Sequence, residues 1–351
     1  MIADLLYVLG VAGMFLILIA PHEAGHFLVA KLFKVRVLEF SIGAGTRLWS
    51  MTRNGTLYAV RLLPILGYVR MGGMEAGDFN EPNGFHSKPP LQRIAILAGG
   101  PIANFIVAIM LITGFGLTQL NSDPGKVLAV LPNTPAAQAG LQVGDHIRTV
   151  DGKPVNSPEN IQQAEVAAEG NPVVVTGVHA DGRPFTLQVQ PVCQKGACQM
   201  GVGIARITTP LTAVQEGVSF PFQAVQVIFQ GLGSLVSGQV KGGLFGPSGL
   251  TGPIGIAAIT IDSVNQGPPT YIWLVALLSV ALGVTNLLPL LALDGGRIVV
   301  VVVEWLRRRP FDRNTELNFQ RWGLAVLLAL AAVISFLDIQ RWASGQFSGL
   351  H

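Results

Sequence analysis

The stretch LILIAPHEAGHFLVAKLF, residues 16–33, decides the fold. It reads as the end of a membrane helix, yet it carries His22, Glu23 and His26. An ionisable side chain at a bilayer centre costs about 2–3 kcal/mol, so three in one apolar run mark a function. The run begins near Leu5 and lacks both the basic start and the small-residue cleavage site of a signal peptide, so it is expected to be a permanent span.

Three further apolar runs of spanning length follow: IAILAGGPIANFIVAIMLITGFGL (94–117), YIWLVALLSVALGVTNLLPLLAL (271–293) and the shorter WGLAVLLALAAVISFL (322–337). Composition agrees. Of 351 residues, 50% are hydrophobic and 12% charged, against about 25% charged in a soluble domain. A formal net charge of +3 without a basic, aromatic-interleaved stripe argues against nucleic acid as a partner.

Lysines and arginines collect between spans one and two (Lys31 to Arg93) and between spans three and four (Arg297, then Arg307, Arg308, Arg309, Arg313 and Arg321). The positive-inside rule makes both loops cytosolic. The N-terminus, the long segment 118–270 and the C-terminus then lie outside.

His22 and His26 are four residues apart and share one helix face. That spacing suits two imidazoles on one tetrahedral zinc, with Glu23 beside the metal to take a proton from its water. Nine residues separate His22 from Lys31, about 13 Å of helix, so the site is expected within the bilayer and nearer the cytosolic face. Pro21 should kink or locally unwind the helix. A catalytic zinc needs a third protein ligand, and the candidate at matching depth is Asp294 in TNLLPLLALDGGRI (285–298). Gly295 and Gly296 can mark a helix break, and Asn286 is a candidate donor to substrate or to a developing oxyanion.

HEAGHF, NLLPLLALDGG and GGPIANF together resemble the site-2 proteases, intramembrane zinc metalloproteases, and among them the bacterial regulator-of-sigma-E protease type. The resemblance runs in order along essentially the whole chain. It implies hydrolysis of a peptide bond within a membrane-spanning substrate, with His22, His26 and Asp294 as zinc ligands, Glu23 as base, and Asn286 and Pro289 on the substrate side. Leu291 stands where the family often has a second proline. Implied substrates are single-span membrane proteins such as anti-sigma factors, or signal-peptide remnants. The implied location is the bacterial cytoplasmic (inner) membrane. A PDZ-containing scaffold and a zinc transporter without proteolysis are the competing classes, and neither has a use for Glu23 beside the histidine pair.

Residues 35–71 alternate as short strands around Asn54–Gly55, a strong hairpin turn. Such a sheet at the cytosolic membrane face could add an unwound substrate as an extra strand. Residues 126–155 and 171–191 resemble a circularly permuted bacterial PDZ domain, whose groove could take a peptide terminus. His146 and His179 within it are read as surface residues. Cys193 and Cys198 would form a small disulfide in an oxidising compartment.

The expected fold is a polytopic α-helical membrane protein of about four spans, with a cytosolic-face β-hairpin and an inserted extracytoplasmic PDZ domain. Along the chain this gives span one over 1–34, the hairpin region over 35–93, span two over 94–120 and the PDZ domain over 124–207. Membrane-surface linker helices over 208–270 follow, then span three over 271–306, a basic loop over 307–321, span four over 322–340 and a tail over 341–351.

Overall fold

A computed structural model describes residues 2–343, apart from 76–77, 122–123, 133, 195–196, 207, 240–242, 244–245, 247–248 and 291. Leu291 and the tail from 344 therefore lie outside the described residues. The chain divides into two compact units, residues 1–113 with 216–351, and residues 114–215.

The first unit opens with α1 (Ile2–Leu32), then the strands β1 (Val37–Arg53) and β2 (Thr56–Met71), then α2 (Pro90–Thr118). α1 runs through Pro21 as unbroken helix, which corrects the expected unwinding. A proline there removes one ladder bond, and the apolar residues on either side keep the remainder of the helix in place. Asn54 (φ 48°) and Gly55 (φ 74°) form the hairpin turn, both in the left-handed region that a type I′ turn requires.

The hairpin folds over on itself. Phe40 pairs with Val69 on one side and with Tyr58 on the other, while Met51 also pairs with Tyr58. The sheet is therefore four segments wide, in the order 67–71, 37–42, 57–60, 49–53. Gly43 at φ 93°, where a Cβ would stand 2.8 Å from the Arg61 carbonyl oxygen, permits the bend. Val37 and Met71 pack with Ala30 of α1, Ile96 and Leu97 of α2, and Val301 beyond them, so the sheet is anchored to three helices.

The second unit carries β3 (Val127–Val130), α3 (Pro135–Gln138), β4 (His146–Val150), β5 (Lys153–Pro154), α4 (Pro158–Ala168), β6 (Val173–Val178), β7 (Pro184–Val189), β8 (Val192–Gln194), β9 (Ala197–Gln199) and β10 (Val202–Ile204). Four strands form one sheet in the order β5-β4-β6-β7, β3 pairs with β10, and β8 pairs with β9. Cys193 and Cys198 are joined as a disulfide across that last hairpin. Alternate apolar residues such as Val127, Ile147, Val173, Val175 and Val189 form the core.

The chain continues with α5 (Pro210–Val236), α6 (Pro253–Gln266), α7 (Pro268–Leu287), α8 (Asp294–Arg307) and α9 (Arg313–Ala343). Among the described residues four helices are long and apolar enough to cross a membrane: Asp4–Leu32, Pro90–Thr118, Pro268–Leu287 and Arg313–Ala343. The protein is a multi-pass membrane protein.

Two expectations need correction here. Residues 271–306 are not one helix: α7 stops at Leu287, Leu288 is extended (ψ 145°), and helix resumes at Asp294. The residue before a proline is pushed out of the helical region, and Pro289 does that to Leu288. Nor are 208–270 merely surface linkers. Phe220 and Ala224 of α5 pack with Ala108, Ala276 and Val280, and α6 meets α1 through Thr260 on Met14 Sδ (3.0 Å) and Asn265 on Tyr7 (2.8 Å). Small and hydroxylated residues at these contacts (Gly217, Ala224, Thr260, Ser263) let helices approach closely.

Candidate active site

Two distant pieces of chain converge at one point. His22 and His26 come from α1 and Asp294 from the first turn of α8. Asp294 Oδ2 lies 3.3 Å from His22 Nε2 and 3.2 Å from His26 Nε2, and the two Nε2 atoms are 3.2 Å apart. The histidines are buried, and Oδ2 is buried with no hydrogen-bond donor of its own.

A tetrahedral zinc with bonds of about 2.0–2.1 Å separates its ligand atoms by about 3.3 Å. The three edges match that spacing. These residues fit a zinc ion, and a catalytic zinc held by three protein ligands would take a water as its fourth. Sequence reasoning therefore named the residues that the fold brings together.

What sequence reasoning missed is the support behind the histidines. His26 Nδ1 donates to the Ile96 carbonyl at 2.8 Å, which fixes the tautomer that presents Nε2. His22 Nδ1 faces the Asn104 amide at 3.4 Å, and a half-turn of that amide brings its otherwise unpartnered Oδ1 to the same nitrogen. Both partners belong to α2, which can come this near because Gly25 and Gly99 face each other. A Cβ on Gly99 would stand 2.8 Å from the Gly25 carbonyl oxygen, and one on Gly100 would stand 2.7 Å from His26 Cε1. The GGPIANF segment is thus a backing plate for the two imidazoles. Its paired glycines were the available signal.

Asp294 is aimed by the break in the third span. Gly295 lies so close to the Leu287 and Leu288 carbonyl oxygens that a side chain would overlap them. Asn286, at the end of α7, donates to the Leu282 carbonyl at 3.0 Å and borders the site. Pro289 does not line either cavity at the site. Its effect is to end α7.

Two cavities meet here. A chamber of about 340 Å³ holds Glu23 with the three convergent residues, Asn286 and Arg297, and the edge segment 67–71 forms one wall. The second cavity, about 480 Å³, shares His22, Glu23, Gly67 and Asn286, but is otherwise walled by apolar residues such as Phe15, Leu278 and Leu282. Gly67 holds the sheet edge against Glu23, where a Cβ would stand 2.8 Å from Glu23 Cγ. Within the sheet, burial pushes the Glu39 carboxyl up, but hydrogen bonds from Tyr68 (2.7 Å) and Arg61 (2.9 Å) outweigh it and hold the group below its ordinary value.

In the second unit His179 Nδ1 lies 3.1 Å from both Asp145 oxygens, its ring packed at a tilt against Phe185 with centroids 4.8 Å apart. No second histidine joins it among the described residues that can group about a metal.

The profile described as Peptidase family M50 matches residues 10–330. Metalloprotease MmpA of Caulobacter vibrioides is 30% identical, across 99% of this chain and 98% of its own. Zinc metalloprotease RasP of Bacillus licheniformis is 29% identical, and regulator of sigma-W protease RasP of Bacillus subtilis 28%. Each of the two is matched over 95% of its length by 91% of this chain.

Proposed function

The chain belongs to peptidase family M50, and from that premise we propose a division of labour among its residues. It is an intramembrane zinc metalloprotease, and zinc is its cofactor. Zinc held by His22, His26 and Asp294 supplies a Lewis acid that acidifies water and polarises a carbonyl. Glu23 accepts the proton of the attacking water and delivers it to the amide nitrogen as the carbon–nitrogen bond breaks, leaving a carboxylate and an amine. Asn286 lies where it can support the oxygen that gains charge. Pro289 positions Asp294 rather than touching substrate. The convergence of three buried ligand atoms at 3.2–3.3 Å carries this reading.

The substrate is a membrane-spanning segment of a single-span protein, such as an anti-sigma factor or a signal-peptide remnant. The name of the Bacillus subtilis relative, a regulator of sigma-W protease, supports the first. A helical peptide bond is hidden by its own hydrogen bonds, so the segment must unwind. The edge segment 67–71 is paired on one side only and borders the chamber, which supports strand addition there. Exposed Leu48, Trp49, Leu62 and Leu66 support a hairpin that sits in the cytosolic membrane face.

The basic loops favour an external N-terminus, insert and C-terminus in a bacterial cytoplasmic membrane, and a disulfide in the insert agrees with an oxidising side. Cysteines placed at Arg53 and Arg309 should then resist an impermeant thiol reagent in intact cells, and one at Asp181 should react. The insert is assigned as a PDZ domain that selects substrates. A groove of about 490 Å³ between β10 and α4 supports it, with Leu131, Ile161 and Val202 along its walls.

Purified protein with one zinc per chain should cleave a model membrane peptide. Glu23→Gln should keep the zinc and lose the cleavage. Normal cleavage by that variant removes Glu23 from the mechanism.

A further inference from the structure

The chamber contains one cation among the described residues that line it, and no role has been given to it. Arg297 follows Asp294 by three residues on α8, so the two side chains share a face of that helix. Its Nη2 donates to the neutral Oε1 of Gln320 on α9 at 3.0 Å. Its Nε is buried and has no partner. Glu23 and Asp294 share its chamber but form no ion pair with it among the described residues, whereas Arg93 of α2 and Arg313 of α9 both bind Glu304, at 2.7 and 2.6 Å. Of the neutral polar side chains of the chamber, Tyr68 is bonded to Glu39 and Arg61, and Asn286 gives one N–H to Leu282 and keeps the other.

A half-buried guanidinium that keeps a donor in reserve is stabilised by an acceptor that arrives from outside, and a carboxylate is the best match for its planar fork. The neutral tether to Gln320 matters, because it orients the group without satisfying its charge. The cavity on the other side of Glu23 is walled mainly by apolar residues and holds no lysine or arginine among its lining.

We propose that Arg297 is a specificity-determining residue that binds an acidic side chain of the substrate, placed in the unwound segment within a few residues of the scissile bond. The apolar cavity takes the hydrophobic side chain on the opposite flank. The protease then reads a pattern of one apolar and one acidic residue about the cleaved bond. This rests on the proteolytic reading above, and the two fail in different ways.

A model membrane substrate carrying Glu or Gln at each of the three positions on either side of the cleaved bond provides the test. Wild-type protein should cleave the Glu peptide about ten times more efficiently than its Gln counterpart at one position, mainly through a lower KM. Arg297→Gln should bring that ratio close to one, Arg297→Lys should keep most of it, and Arg297→Glu should transfer the preference to a Lys peptide. Zinc content is measured for every variant, so that loss of the metal is not mistaken for loss of selectivity. A wild-type ratio near one at all six positions overturns the proposal without reference to any variant, as does a ratio that survives Arg297→Gln in zinc-loaded protein. Absence of cleavage of every peptide by wild-type protein counts against the proteolytic reading itself.

Discussion

Among the described residues histidine meets carboxylate in both units, to different ends. In the second unit Asp145 receives His179 Nδ1, the Ala180 amide and the Gln142 amide, so each partner is answered within the fold. In the first unit Asp294 Oδ2 faces only two imidazole nitrogens, at 3.3 and 3.2 Å, and no further donor among the described residues reaches it. A buried polar atom with every valence met is a fastener. One left open, with ligand atoms arranged around a point, is a site.

The sharpest break in that comparison comes from the ligands. Replacing His22, His26 or Asp294 by Ala should remove zinc and reduce cleavage to background, as metal analysis and a peptide assay would show. Full zinc occupancy in the His22→Ala, His26→Ala double variant is the contrary result. Glu23→Gln should lower kcat by about 10²–10⁴-fold with zinc retained, the range of general acid–base catalysis.

The supporting residues come next. Asn104→Ala and Gly100→Ala should each cost about 10–100-fold in zinc affinity or activity, read by competition with a chelator. In the second unit Asp145→Ala should destabilise the insert by about 1–3 kcal/mol, since two amides and an imidazole lose their acceptor. It should change cleavage of a short membrane peptide by less than a factor of about three. A collapse of that activity would mean that the fastener is part of the site after all.

His86 supplies the smallest and most pH-specific effect. It sits between the hairpin and α2, and burial, then the charges of Arg313 and Arg93, push its imidazole down to about 3 from 6.5. Between those values the unfolded chain binds a proton that the folded chain refuses. Its contribution to stability is therefore complete above about pH 6.5 and is lost as pH falls towards 3. Thermal unfolding from pH 4 to 7 should show a shallower acid limb for His86→Gln than for wild type. Parallel limbs would contradict the assignment.

The sequence was most legible where chemistry conflicts with its surroundings. Three ionisable groups in an apolar run, and an aspartate ending another, pointed at the residues that now converge. Asn54–Gly55 announced its turn because few residues tolerate positive φ at both positions. Less legible was everything that depends on contact between distant segments. That Gly99 stands against Gly25, that Phe40 has strand partners on both sides, and that α6 lies along α1 are facts of tertiary packing without a local pattern. At Pro21 the expected local unwinding is absent, because one lost ladder bond leaves the helix continuous on either side. Arg297 was counted as an orientation signal, and its uncommitted donor became visible only beside Gln320 and the chamber.

The gap between α7 and α8 has a consequence for solvation. Lipid cannot hydrogen-bond a peptide group, so backbone that leaves the helix at membrane depth is tolerated where protein encloses it or water reaches it. Leu288, Leu290 and Leu293 satisfy their amides through turn bonds to Thr285, Leu288 and Leu290. Such turns leave carbonyl oxygens in excess of donors, and Ala292 of this segment opens on the chamber beside Asp294. Carbonyls with spare lone pairs at a cavity wall hold water. Each bond cleaved consumes one water molecule in a surrounding medium that holds almost none. The interruption that aims the aspartate therefore also gives the chamber backbone acceptors able to hold its second reactant.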